Sequence, residues 1–477
     1  MAQASNELKP RLCVIGAGPA GLTVAAAAAA FDMKPVLIEK GGLGRESLYR
    51  GSVPAQALIA AAARAQAARA NARFGIKTGR MSIDPSVVTT QVRTTVDALA
   101  PNATRERFAG LGVTVIEASA RFADPRTVVA GDFVVKASCF VIATGSSPAI
   151  PDIPGLAVTP YLTEATIFTL KEIPRHLIVI GAGAAGLELA QVFRRLGSKV
   201  TVIEPATPLA GIEPEAAAVV LHALAREGIS LRIGAEVTKV GRALAKLRVT
   251  LRDEAGEETI EGTHLLLTSG RRPNIDDLDL DAAGIQTTAE GLVLDNSLRT
   301  ANKRVYAVGD AAGGPHATHV GHYHASLAIR NGLFGAKLRV NYEAVPLVTY
   351  TDPELAQVGM LEGEARAHSG AIRVLRWPYR ENDRAQIERT TEGHIKIVTD
   401  RAGEILGATI VGPRASESIT PWTLAIGEKL NIRAFAGLVV PYPSYAEVGK
   451  RAAITFFNHG LTRPRTRRIM GWSRRTR

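Results

Sequence analysis

One strand–turn–helix–strand pattern occurs twice in this chain, and it leaves few folds open. Residues 11–39, RLCVIGAGPAGLTVAAAAAAFDMKPVLIE, run an apolar strand into Gly16, Gly18 and Gly21, then a helix, then a second strand closed by Glu39. Residues 176–204, HLIVIGAGAAGLELAQVFRRLGSKVTVIE, repeat the pattern with Gly181, Gly183, Gly186 and Glu204. In each copy the first glycine makes the turn, the second lets backbone approach a pyrophosphate, and the third lets the helix pack closely. The helix N-terminus then presents its partial positive charge to the phosphates. The terminal carboxylate is placed to accept hydrogen bonds from ribose hydroxyls. Two full copies imply two dinucleotides on one chain.

At 477 residues the chain is too long for one core, and about three domains are expected. No stretch is both long and apolar enough to span a bilayer. The N-terminus MAQASNELKPR lacks a signal-peptide core. A soluble, cytoplasmic protein is therefore expected. Cys13 and Cys139 each lie inside an apolar run and read as small buried side chains rather than a redox pair. The net charge of +12 is uneven, because residues 462–477, TRPRTRRIMGWSRRTR, carry seven arginines and no acid. Such a tail suits acidic lipid headgroups, with Ile469, Met470 and Trp472 as its apolar face, or it is solvated, or it folds across a partner subunit. Nucleic acid is not an expected partner.

The segment that bears on chemistry follows the first unit: residues 41–59, GGLGRESLYRGSVPAQALI. It resembles the redox-active segment of the pyridine nucleotide–disulfide oxidoreductases, the family of lipoamide dehydrogenase, glutathione reductase and mercuric reductase. That family carries two cysteines separated by four residues, then an apolar residue, Pro, Ser and Lys. Here Ser47 and Ser52 stand at the cysteine positions, and Ala55 and Gln56 replace Ser and Lys. Val53 and Pro54 match, as do Ala57, Leu58 and Ile59. A serine hydroxyl forms neither a disulfide nor a flavin–thiolate charge-transfer pair. Arg45, Glu46, Tyr49 and Arg50 also depart from the family pattern, which marks natural divergence rather than a laboratory substitution.

The resemblance extends over roughly residues 10–460. It implies an α/β fold with two Rossmann-like domains, for FAD and then a nicotinamide cofactor, and an α+β C-terminal dimerisation domain. The expected boundaries are 1–150 and 271–344 for the FAD-binding parts, 151–270 for the nicotinamide domain, 345–460 for dimerisation and 461–477 for the tail. Thr144 and Gly145 match the second flavin motif, and Asp310 the third, where it would accept from the ribitol chain. Thr318 and His319 should open a helix aimed at the flavin N1–O2 edge. Val237 and Gly270 match nicotinamide-cofactor positions, and Ala184 replaces an aromatic gate. Glu204 favours NADH over NADPH. His316, His319, His322 and His324 have metal-like spacing but no cysteine or carboxylate near in sequence, so no metal is expected.

The family's C-terminal His-Pro-x-x-x-Glu, which serves a partner subunit's thiol, is here PYPSYAE, with Tyr442 for the histidine and Glu447 retained. Tyrosine, with an ordinary pKa near 10, is a poor thiol base. The family lysine, here Gln56, pairs near flavin N5 with a glutamate that falls on Glu188. Together these positions imply a homodimeric FAD-dependent NAD(P)H oxidoreductase that passes electrons to a quinone-like or other small acceptor. Ser47, Ser52, Tyr442 and Glu447 would line the acceptor face, with Gln56 and Glu188 at N5. Arg380 and Arg384 would either contact an anionic acceptor or form interface salt bridges. Neither lipoamide nor mercuric reduction is expected. The alternatives are a flavin-bearing dimer that acts mainly as a binding protein and a transhydrogenase, the latter disfavoured by Glu204.

Overall fold

The computed structural model describes residues 6–79, 81–243 and 246–457, so the arginine-rich run at 462–477 lies outside the described residues. The described chain divides into two compact units. One holds Met1–Gly181, Val192–Ile203 and Ala235–Val340; the other holds Ala182–Gln191, Glu204–Gly234 and Asn341–Arg477.

In the first unit, five parallel strands run in the order Val305–Ala307, Cys139–Ile142, Leu12–Ile15, Val36–Glu39, Thr114–Glu117. Leu12–Ile15 and Cys139–Ile142 are buried at every position, as expected of a parallel strand covered on both faces. Cys13 and Cys139 are both buried, and burial pushes their thiols well up, Cys139 to about 12. Neither is a thiolate at neutral pH. The alanine run forms the Pro19–Ala30 helix, whose small residues let it pack closely against the Thr318–Phe334 helix. A second parallel sheet contains Leu162–Thr163, His264–Leu267, His176–Ile180 and Lys199–Glu204 in that order.

Residues 85–110 form two helices, Pro85–Leu99 and Arg105–Gly110, separated by a 3₁₀ turn containing Pro101. Proline lacks the N–H that an uninterrupted helix needs, and Thr104 then caps the second helix through Arg107 N–H at 3.2 Å. Thr127–Ala130 and Phe133–Lys136 form a hairpin turned at Gly131 with φ +56°.

The second unit holds an antiparallel sheet in the order Leu347–Thr349, Glu354–Gly359, Ile405–Gly412, His394–Asp400, Ile372–Pro378. Its core includes Trp422 stacked on Phe435 at 3.9 Å. One buried charge cluster joins its helices to this sheet. Lys396 is 3% exposed and its Nζ lies 2.7 Å from Glu213, 2.6 Å from Glu215 and 2.7 Å from Glu362. Arg376 donates to both Glu215 oxygens and to Glu362. Hydrogen bonds from Lys396 and then Arg366 hold the Glu362 carboxyl at about 2. These three glutamates are, among the described residues, the one group close enough to hold a metal ion, and the lysine ammonium stands at their centre. Breaking such a buried pair strands uncompensated charge. Lys396→Met is expected to destabilise the protein by about 3–5 kcal/mol, read as a lower midpoint in urea unfolding.

Candidate functional site

The two glycine turns repeat one another bond for bond. At the first, Gly16 has φ +103° and a Cβ there would lie 2.4 Å from Ala143 O. At the second, Gly181 has φ +109° and a Cβ would lie 2.5 Å from Thr268 O. No residue with a side chain meets both conditions. Gly16 N–H donates to Ile38 O at 2.8 Å and Gly181 N–H to Ile203 O at 2.9 Å. Glu39 accepts from Ala17 N–H and Gly41 N–H, each at 2.6 Å. Glu204 accepts from Ala182 N–H at 2.8 Å and Ala206 N–H at 2.9 Å. Each carboxylate is thereby fixed against its own phosphate turn, and each oxygen keeps a lone pair for a ribose hydroxyl.

The remaining glycines divide the work. A Cβ at Gly21 would meet Gly16 O at 1.9 Å, so that glycine serves helix packing. A Cβ at Gly18 or Gly183 would meet nothing within 4 Å. Gly18 precedes the Pro19–Ala30 helix without a side-chain cap, so the first helical N–H groups face open space. A pyrophosphate fits there, and the second turn offers the same free approach at Gly183.

Beside the first turn lies a polar network that the sequence motifs only partly reveal. Thr144 Oγ1 is buried and has no hydrogen-bond partner among the described residues. Gly145 takes φ +69°, and Asn274 ties this turn down through Gly145 O at 2.9 Å and Thr144 O at 3.1 Å. Ser146 Oγ donates to Asp310 Oδ2 at 2.6 Å and accepts from Arg271 Nε at 2.7 Å. Arg271 also donates to Glu164 at 2.7 Å. Burial works to raise the Asp310 carboxyl, but hydrogen bonds from His316 and Ser146 and nearby positive charge outweigh it and hold it below the ordinary carboxylate range. An anionic Asp310 and an unpartnered buried hydroxyl fit the ribitol and phosphate region of FAD. Ser146, Glu164, Arg271 and Asn274 carried no motif weight; the run RRPN at 271–274 was the available signal.

The segment at 41–59 forms two helices, Arg45–Tyr49 and Ser52–Ala70. Ser47 bonds locally to Gly44 O at 3.4 Å. Ser52 Oγ lies 3.3 Å from Thr318 Oγ1, where the Thr318–Phe334 helix begins. The structure thus brings Ser52 and Thr318 together, with His319 exposed in the same first turn. Gln56 is partly buried one turn into the Ser52–Ala70 helix. His324 is fully buried, and burial lowers its imidazole to about 4, while His316 faces Asp310 at 3.7 Å. Gly270 has φ +117° and accepts from Ala149 N–H at 2.9 Å. Val237 sits at a strand irregularity on Glu236–Ala243.

In the second unit, Glu188 accepts from Tyr350 N–H at 2.8 Å. Three residues on, buried Gln191 exchanges bonds with Asp352 N–H at 2.8 Å and Asp352 O at 2.9 Å. One face of the Ala184–Leu196 helix therefore holds the 350–352 backbone. Burial pushes the Glu188 carboxyl up to about 7, against the lowering effect of Tyr350 N–H. Tyr442 is 71% exposed, lies two residues before Ser444, whose carbonyl accepts from Asn382 Nδ2, and donates its proton to Asp383 Oδ2 at 2.8 Å. That bond, with the Asp383 charge, raises the phenol above its ordinary value. Glu447 opens the Glu447–Thr455 helix. Arg384 pairs with Glu388, four residues along its own helix.

Residues 10–325 match the pyridine nucleotide-disulphide oxidoreductase family, and residues 345–453 match its dimerisation domain. The chain belongs to this family. Mercuric reductase from Streptomyces lividans is 34% identical over 454 residues, covering 93% of this chain and 96% of that protein. Dihydrolipoyl dehydrogenase from Geobacillus stearothermophilus is 33% identical over 455 residues, covering 92% and 94%. Among solved structures, LpdA from Mycobacterium tuberculosis has a TM-score of 0.85 at 28% identity, covering 94% of this chain and 99% of that one. The Cu(II) complex of the HOCl-induced flavoprotein disulfide reductase RclA from Escherichia coli has a TM-score of 0.82 at 25% identity, covering 94% and 99%. The family's proteins are FAD-dependent oxidoreductases that use NAD(P)H, and its dimerisation domain supports a homodimer here. This pyridine nucleotide-disulphide oxidoreductase carries cysteine only at 13 and 139, both buried in strands. Among the described residues no helix is long and apolar enough to cross a membrane.

Two outcomes follow from this geometry. Gly183→Ala adds a methyl group that meets no protein atom, so the melting temperature should hold while the Kd for NADH rises about tenfold or more; Gly18→Ala should similarly release FAD from a folded protein. Glu188 holds a proton in the native state between pH 4.5 and about 7 that the unfolded chain has already lost. Its contribution to stability is therefore present at low pH and falls as pH rises through that window. Glu188→Gln should flatten that part of the curve and raise the urea midpoint at pH 8 relative to the parent.

Proposed function

We propose that this chain is an FAD-dependent NADH oxidoreductase that delivers electrons directly to a small diffusible acceptor of the quinone class, with no enzyme sulfur on the path. The Ser52–Thr318 pair carries this reading. Helices of 19 and 17 residues begin at hydroxyls 3.3 Å apart, and neither has a side-chain cap. Their first-turn N–H groups lend partial positive charge to one locality. A thiolate would use that charge, but serine stays neutral. A quinone oxygen becomes more negative as it is reduced, and oriented N–H groups with two hydroxyls stabilise that charge as an oxyanion hole does.

When bound, FAD supplies the two-electron centre between NADH and acceptor. The net change is quinone, NADH and one proton giving hydroquinone and NAD⁺. Glu204 favours the free 2′-hydroxyl of NADH. Glu39, Asp310 and the Thr144 hydroxyl hold the flavin cofactor, and Gln56, in the same unit, serves its N5 side. In a homodimer with composite sites, Tyr442 and Glu447 complete the acceptor face. Because the Tyr442 proton is committed to Asp383, the phenol oxygen offers lone pairs, which suits the O–H of a departing hydroquinone.

Anaerobic stopped-flow tests the reading. Mixing the yellow protein with NADH should bleach the flavin rapidly, without a long-wavelength thiolate–flavin band, and NADPH should be slower. Quinones should restore the oxidised spectrum, with ping-pong steady-state kinetics. Ser52→Ala and Thr318→Ala should lower kcat/KM for quinone about tenfold, with bleaching by NADH within twofold of the parent. A requirement for a dithiol, or turnover of lipoamide or mercuric ion, would overturn the proposal.

A further inference from the structure

We infer that Glu164 is a positioning residue for the flavin site: it holds the Arg271 guanidinium in the pose that directs the Ser146 proton onto Asp310. Arg271 uses its three nitrogens separately. Nε donates to Ser146 Oγ at 2.7 Å, Nη2 to Ser146 O at 2.8 Å and Nη1 to Glu164 Oε1 at 2.7 Å. A guanidinium has donors only, so Ser146 Oγ accepts from Nε, and its single proton is left for Asp310 Oδ2 at 2.6 Å. The same Nε lies 3.6 Å from that carboxylate oxygen. Arg272, the next residue, pairs instead with exposed Asp276, four residues along the chain. The two adjacent arginines therefore do different work.

Glu164 is itself fixed from behind. It follows the Leu162–Thr163 strand, which pairs with His264–Leu267 in the sheet of the second glycine turn. Thr163 N–H donates to Thr166 Oγ1 at 2.9 Å and Ala165 N–H to Thr163 Oγ1 at 3.3 Å, which pins the turn carrying Glu164. Ser146 and Arg271 are likewise set by backbone pairing, since Ser146–Pro148 runs antiparallel to Arg271–Pro273. Glu164 Oε2 is buried and has no hydrogen-bond partner among the described residues. Burying a carboxylate oxygen in this way is costly, so the side chain is held there for its bond to Arg271. Without that bond the guanidinium keeps only Ser146 and can swing, and the serine hydroxyl is then free to turn from Asp310. The inference rests on Asp310 facing FAD and not on the quinone reading.

The test is FAD retention by the full-length holoprotein, read from the fluorescence of flavin released on dilution. E164A should raise the FAD Kd about tenfold, the loss expected of one charge-assisted bond. E164Q keeps an acceptor oxygen for Arg271 Nη1 and should restore affinity to within about threefold of the parent. In an S146A background, E164A should add less than about twofold, because the relay it serves is already gone. A purely structural ion pair predicts a lower melting temperature with a parental Kd, and that result would overturn the inference. So would a tenfold loss that persists in the S146A background. If E164A does not accumulate in folded form, R271K decides. Lysine keeps the charge but cannot grip Ser146 Oγ, Ser146 O and Glu164 at once, so the Kd should again rise about tenfold, and a parental value would sink the idea. D310N separates the two levels. A parental Kd in D310N withdraws Asp310 from the flavin site, whereas loss of FAD there beside a parental Kd in E164A removes Glu164 alone.

Discussion

In each dinucleotide unit, a glycine pressed against the end of a neighbouring strand is the contact on which the rest of the site depends. Gly16 lies against Ala143 and Gly181 against Thr268, too close for any side chain. That approach sends the chain directly from strand to helix and leaves the helix start bare. It also brings the first turn beside residues 143–146, so Thr144 and the Ser146–Asp310 bond arise as its neighbours. Glu39 and Glu204 close each arrangement from 22 residues away, each accepting from the amide just after the first glycine. One steric constraint therefore orders phosphate turn, ribose carboxylate and flavin-side network together.

Charge is handled in two opposite ways. Where it is structural it is saturated: Lys396 is surrounded by three carboxylates, of which Arg376 also reaches Glu215 and Glu362 and Arg366 reaches Glu362. Buried charge tolerates nothing less. Where the chain meets other molecules, charge is left without a protein partner. The bare helix starts at Gly18 and Ser52 are of this kind. Asp310 is intermediate, its charge fixed by Ser146 and His316 yet held at the edge of the flavin region.

Much of this was legible in the residues. Glycine spacing, flanking apolar strands and terminal glutamates specify the two dinucleotide units because each element has a distinct steric reason. The opening of a helix at Thr318 and an antiparallel unit after 345 were legible for similar reasons. The break at Pro101 and the hairpin at Gly131 were not, since short apolar runs suit more than one local structure. Arg271, Ser146 and Lys396 stayed hidden because partners such as Glu164, Asp310 and Glu213, respectively, lie 107 to 183 residues away, and no local pattern encodes such pairs. The role of Asp383 was equally silent until Tyr442 was placed against it.

The substitutions at 47, 52, 56 and 442 make sense as one change rather than four. A redox cysteine pair needs a thiolate, a cation to stabilise it and a base to relay its proton. Losing sulfur removes the demand for all three, and here lysine is glutamine and histidine is tyrosine. The machinery upstream of sulfur has no such excuse to drift, and it has not drifted: both phosphate turns keep every steric feature they need. A chain kept only as a binding scaffold would be under no pressure to retain Gly18 and Gly183, where a methyl group meets no protein atom and harms only a ligand. Their presence argues that cofactors are bound, and under the function proposed above the reduced flavin then releases its electrons to something that diffuses in.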